Sequence, residues 1–264
     1  DVTELSGAIE FHNLTFDYPG HANREPALRD IDLVIPEGTT LGVVGPVGSG
    51  KSTLVSLIPH LYEIEDGQLT IGGTDINRIP LGVLRAAIAM VPQDSFLFSM
   101  SLAENIAFGL PEADAAVVRR AAAGAQLAKD VEDLPEGYET IVGERGVMLS
   151  GGQRQRAALA RALAVRPRIL ILDDVLSAVD AETEAGIQRE LDSVFAGRTV
   201  VVVSSRVSAV RNADQIVVLD EGRIVDCGSH AQLMAAGGLY ARLASEQAAE
   251  EAQRGAAPAS GAGR

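Results

Sequence analysis

The run ILILDDVLSAVD, residues 169–180, drives four apolar residues into two adjacent carboxylates, Asp173 and Asp174. Paired acids at the end of a buried strand are costly to keep there unless a cation or a reaction uses them. Far upstream, GPVGSGKST at residues 45–53 fits the pattern G-x-x-x-x-G-K-[ST]. Gly45, Gly48 and Gly50 let the backbone curl so that successive N–H groups, those of Ser49 and Thr53 among them, converge on one anion at a helix N-terminus. Lys51 adds a mobile point charge for the outer phosphates of a nucleotide, and Ser52 offers a hydroxyl to Mg²⁺. Such a loop needs a carboxylate on a neighbouring strand to hold the magnesium through water, and Asp173 is the expected one.

The elements that must position these residues are visible as hydrophobic patterns. TLGVVG, RILILDD and RTVVVVSS are solid Val, Leu and Ile without alternation, as expected of strands covered on both faces. GAIEFHNLTFDYPG, PALRDIDLVIPEG and GQLTIGGTDI alternate and end in turn residues, so a small antiparallel layer is expected near the N-terminus. From residue 94 to about 160 the pattern is helical. The expected fold is α/β: a largely parallel sheet, an N-terminal antiparallel β layer and an inserted α-helical subdomain. A cassette over residues 1–248 and a disordered tail over 249–264 are expected, because QRGAAPASGAGR offers nothing to bury.

LSGGQRQR, residues 149–156, ends 17 residues before Asp173. It resembles the signature motif of ATP-binding cassette (ABC) proteins, whose fold is a P-loop NTPase (RecA-like) core, and the likeness extends from about Ile9 to Arg242. The resemblance implies that Ser150, Gly151, Gly152 and Gln153 meet the γ-phosphate held by a partner cassette, so two chains would pair head to tail around ATP and Mg²⁺. It also implies that Tyr18 stacks on adenine. Gln93 would reach Mg²⁺ and the attacking water, and the SAVD run ending at Asp180 would cross to the partner. GERG, residues 143–146, with VPQDSFLFSMSLAENI is similar to the exporter-type segments that meet transmembrane domains, and such a domain is absent from this chain.

Two positions depart from the family pattern. Asp174 stands where the general-base glutamate is normal, and Ser205, in SSRVS, stands where the switch histidine is expected. One methylene less withdraws a carboxylate by about 1.5 Å, while a base must lie within about 3 Å of its proton. The chain therefore reads as the degenerate-site subunit of a heterodimeric bacterial multidrug exporter. Its catalytic candidates would be Asp174, Ser205 and Gln93, its metal candidates Ser52, Gln93 and Asp173, and its intact signature would complete the partner's site. The alternatives are a homodimeric exporter with slow hydrolysis and a soluble ABC ATPase outside transport. Against the latter stand the short gap between Gln93 and Leu149 and the lack of sustained heptads.

Composition sets the outer bounds. A net charge of −14 argues against a nucleic-acid binder, which needs a basic face, although a local phosphate site can still be positive. Aromatics are only 4% and Trp is absent, so the core must be aliphatic. The lone Cys227 excludes an internal disulfide and a cysteine metal cluster. No apolar run is long enough to span a membrane. Without an initiator Met or a signal peptide, the chain reads as a piece of something longer, working at the cytoplasmic face of the cell membrane as part of a transporter.

Overall fold

Runs of Val, Leu and Ile that cannot alternate between core and water must lie inside a sheet. The computed structural model describes residues 5–20, 25–112, 114–143, 146–175, 186–187 and 197–256, with side chains as far as 250. In it β3 (Thr40–Val44), β9 (Ile169–Asp173) and β10 (Thr199–Ser204) are adjacent in a six-stranded sheet of order β12-β11-β3-β10-β9-β6. β6 (Ile88–Val91) and β11 (Gln215–Asp220) extend it in parallel, and β12 (Arg223–Gly228) closes one edge antiparallel to β11. A second, antiparallel sheet of order β2-β1-β4-β5 holds β1 (Ile9–Phe16), β2 (Leu28–Ile35), β4 (Leu69–Ile71) and β5 (Thr74–Asp75). Both sheets are those expected from the sequence.

Strand periodicity splits the interior into two cores. Ile169, Ile171, Val201 and Val203 point toward the antiparallel sheet, together with Phe11, Leu14, Leu54 and Leu57. Leu170, Leu172, Val200 and Val202 point to the other side, against the helices. Each such side chain, fully buried, contributes about 1.5–3 kcal/mol. The sheet is therefore stiff where its carboxyl ends carry the polar residues of interest.

The inserted lobe contains α3 (Leu102–Ala107), α4 (Ala115–Gly124), α5 (Ala128–Glu132) and α6 (Gly151–Ala164), after α1 (Lys51–Leu57) and α2 (Leu81–Ala87) of the core. Ala157, Ala158, Ala160, Ala162 and Ala164 are all buried on α6, and their small size lets neighbouring helices approach closely. The lobe also holds a two-stranded pair, β7 (Met100–Ser101) with β8 (Ile141–Val142). Strands of two residues have no readable period, so the sequence gives no sign of them. After β10 come α7 (Val207–Val210), α8 (His230–Ala236) and α9 (Leu239–Ala256). α9 runs past residue 248, where the sequence reading ended the cassette, because EQAAEEA consists of good helix formers. Residues 257–264 lie outside the described residues.

Candidate functional site

The chain leaves β3 at Gly45, where a Cβ would lie 2.0 Å from the Leu219 carbonyl oxygen, so no larger residue fits. It enters α1 through Gly50 at φ +100°, a left-handed conformation that glycine adopts without strain. Between them the loop folds around Lys51, whose Nζ donates to the carbonyls of Gly45 (2.8 Å) and Pro46 (2.7 Å). The lysine that the sequence suggested was mobile is therefore bonded back onto its own loop. Burial pushes its amine below the usual lysine value, against the opposing charges of Asp174 and Asp173. The Ser49 hydroxyl is buried with no hydrogen-bond partner, a costly state that an arriving acceptor would relieve.

Ser52 Oγ donates to Asp173 Oδ1 at 3.1 Å, joining α1 to the end of β9. Asp173 is only 5% exposed, and burial raises its carboxyl above the ordinary aspartate value, with the Ser52 bond pulling the other way. Asp174 turns off the strand at φ +50°, where a short polar side chain is tolerated. Its N–H donates to Val203 O at 2.9 Å. Its carboxylate accepts a long bond from Ser204 Oγ (3.4 Å), and burial raises this acid as well, with Ser204, the nearby Lys51 and Arg206 charges and the Ser205 backbone pulling the other way. Tyr18 bonds through its hydroxyl to Thr53 Oγ1 (2.9 Å), with Phe16 and Tyr62 edge-on to its ring.

The carboxyl ends of β3, β9, β10 and β6 thus bring together the phosphate loop, Asp173, Asp174 and Ser205, with Gln93 two residues beyond β6. Ligands of open α/β sheets bind at this edge. Ser52 and Asp173 are hard oxygen donors within reach of one another and suit Mg²⁺. Among the described residues no cluster of three His, Cys, Asp or Glu could hold a metal by itself.

The residues 150–153 are held differently. Ser150 caps α6: its Oγ accepts from Gln153 N (3.2 Å), while Gln153 Oε1 accepts from Ser150 N (2.9 Å). Gln153 Nε2 also donates to Asp130 Oδ1, and Arg156 pairs with the other oxygen at 2.7 Å. Accepting that bond leaves the Ser150 O–H free to donate outward. A Cβ on Gly151 would meet nothing within 4 Å. Gly151 therefore faces open space, and Gly152 is half-buried beside it. Gln93, Phe96, Gly151, Arg154 and Gln155 line a cleft of about 310 Å³. Asp180, Glu144 and Arg145 lie outside the described residues.

Residues 28–177 match the family described as ABC transporter. The chain belongs to the ABC transporter family. The uncharacterized ABC transporter ATP-binding protein YwjA of Bacillus subtilis (strain 168) is 46% identical over 243 residues, which is 92% of this chain and 42% of that protein. The ATP-dependent lipid A-core flippase of Xanthomonas campestris pv. campestris (strain 8004) is 45% identical over 243 residues, 92% of this chain and 41% of that protein. A solved structure described as a bacterial Atm1-family ABC exporter with ATP bound matches with a TM-score of 0.88 at 39% identity, over 94% of this chain and 43% of that one. The chain spans about two-fifths of the length of these relatives. No helix among the described residues is long and apolar enough to cross a membrane.

Two features of this ABC cassette escape a sequence reading. Asn105, fully buried, bonds to the backbone of Phe98, Met100 and Ser101, and Arg161 of α6 donates to its side-chain oxygen at 2.8 Å. Arg161 also reaches Phe96 O and lies over the rings of Phe98 and Phe108. The second is Gln247 on α9, which bonds to the turn that carries Ser205. In both cases the available sign is a polar residue on an otherwise apolar helix face.

Proposed function

We propose that this chain is the ATP-binding cassette of an exporter, working at the cytoplasmic face of the cell membrane beneath transmembrane domains. It binds ATP with Mg²⁺ at a head-to-tail interface with a second cassette. The names of two relatives, a flippase and an exporter, support the direction of transport. An exposed groove of Ser95, Phe96, Leu97, Gly143, Met148 and Leu149, about 310 Å³, suits intracellular helices of the transmembrane domains. The partner surfaces are this groove with the Gln93 region, and the exposed end of α6. Nothing in the charge favours nucleic acid.

The residues take the following roles. Lys51 and the N–H groups of the loop bind the outer phosphates, and Tyr18 stacks on the adenine. Ser52, Asp173 and Gln93 hold Mg²⁺, which when bound offsets charge on the phosphates. Asp174 orders the attacking water, Ser205 lies toward the γ-phosphate, and Ser150 and Gly151 complete the partner's site.

The chain's own site is degenerate: it holds ATP and turns it over slowly while the partner's site works. The observation that carries this reading is the Asp174 carboxylate, short by one methylene and bonded back to Ser204. A base so placed lacks reach, and general-base assistance is typically worth ~10²–10⁴ in rate. Bound ATP still favours the closed dimer, because it contacts both cassettes only there.

The test compares ATP binding and turnover by the wild type with Asp174→Glu plus Ser205→His. Tight binding, scant turnover and a rise of about 10² in the double variant are expected. Brisk hydrolysis by the wild type would instead favour a homodimer of two working sites.

A further inference from the structure

α7 begins two residues after Ser205, and its N-cap, Arg206, supplies no side-chain bond to the first turn. The first N–H groups of a helix have no partner inside it. Here the Val207 N–H donates to Gln247 Oε1 at 2.8 Å, from a residue 40 positions away on α9. The other end of the same amide, Gln247 Nε2, donates to Ser205 O at 2.8 Å. One side chain thus closes both ends of the turn at residues 205–207.

The clamp is anchored on one side and connected to the site on the other. Tyr240, Leu243, Ala244 and Gln247 share one face of α9, at spacings of three and four. Tyr240 is fully buried and bonded to His230, while Leu243 and Ala244 pack against the core that includes Val207 and Val210. On the other side, the Arg206 N–H, between the two clamped residues, donates to Ser204 Oγ at 3.0 Å, and that hydroxyl bonds to Asp174. The path from α9 to Asp174, the residue after β9, therefore runs through two hydrogen bonds to the 205–207 backbone and two more from Arg206 N–H through Ser204.

We infer that Gln247 is a positioning residue, through which α9 sets where Ser205 and Asp174 stand and so how strongly the site distinguishes ATP from ADP. This rests on the ATP-site reading above and adds to it a residue outside every motif of the sequence. The phosphate loop is not part of the clamp, so ADP, which lacks the γ-phosphate, should be indifferent to it.

The test is Gln247→Met in the full chain, which keeps the side chain's volume and removes both bonds. Dissociation constants for Mg²⁺–ATP and Mg²⁺–ADP are measured by calorimetry, and turnover is followed in an Asp174→Glu background. ATP affinity should fall about fivefold and turnover about tenfold, while ADP affinity stays within about twofold. If the Met variant does not fold, Gln247→Ala, which leaves space in place of filling it, carries the same comparison. Equal changes for ATP and ADP, or none in affinity and turnover, would overturn the inference and leave α9 a packing element. A wild type that binds neither nucleotide would sink the ATP-site reading, and this inference with it.

Discussion

At the carboxyl ends of β3, β9 and β10 the polar side chains bond inward to one another: Lys51 to its loop, Ser52 to Asp173, and Asp174 to Ser204. At the start of α6 they bond only to the helix end and to Asp130 behind it, and Gly151 faces open space. The first region is an inward-bonded half-site at the edge of a buried aliphatic sheet. The second is a capped helix end beside a cleft, whose side chains already satisfy one another, so it can be offered to another molecule without breaking internal bonds. A site shared between two chains needs one of each, because a tip with unmet internal demands would not be free to dock.

The contrast can be broken most forcefully at Lys51. Lys51→Ala should weaken ATP binding by about 150-fold, as two charge-assisted bonds from its amine to phosphate oxygens are worth about 3 kcal/mol together. A titration with fluorescent nucleotide checks it, and an unchanged affinity would remove the phosphate loop from the nucleotide site. Asn105→Ala should act the other way, on stability and not on nucleotide. It strips partners from the 98–101 backbone and from Arg161 and should cost about 2–3 kcal/mol in urea unfolding, with ATP affinity within about twofold.

Acid should sharpen the difference. Burial holds Asp173 and Asp174 above the usual carboxylate range, so they take up protons at higher pH than free aspartate. A raised folded-state value means that the folded chain holds these protons more tightly than the unfolded one. Their contribution to stability is present below the ordinary aspartate value and is lost as pH rises through the raised value. Mg²⁺–ATP affinity should run oppositely, falling by up to about tenfold per pH unit below the raised value, because the metal needs the carboxylate. Binding and melting measured side by side across mildly acid pH would show the two slopes; parallel slopes would count against Asp173 as a metal ligand.

The smallest effect in the isolated chain belongs to the tip. Gly151→Ala meets no atom and should leave stability within about 0.5 kcal/mol and the chain's own ATP affinity unchanged. Ser150→Ala should cost about 1 kcal/mol through the lost cap. Light-scattering measurements of ATP-driven association should then show both variants impaired in pairing. Normal pairing would mean that this end of α6 is not the contributed surface.

How much was legible follows from how far apart the interacting residues lie. The phosphate loop, Asp173 and the three buried strands are local patterns, since a glycine spacing or a run of Val and Ile depends only on nearby residues. The short β7–β8 pair was not legible, nor was Asn105, one polar residue in an amphipathic helix, nor Gln247, whose partners are 40 and 42 positions away. The Ser150 cap was half-legible: S-x-x-Q before an apolar run is a capping signal, yet the glycines draw attention to an anion first.

The sequence alone determined the chemistry available: which residues can meet a phosphate, that the acid after Asp173 is a methylene short, and that the strands beneath are buried on both faces. Only the tertiary structure decided what those groups do at rest. It turned Lys51 onto its loop, tied Asp174 back to β10, and reached from α9 to fasten Ser205. The physical reason is that composition and period fix a side chain's type and its face, whereas hydrogen-bond partners are chosen among whatever the folded chain brings within about 3 Å.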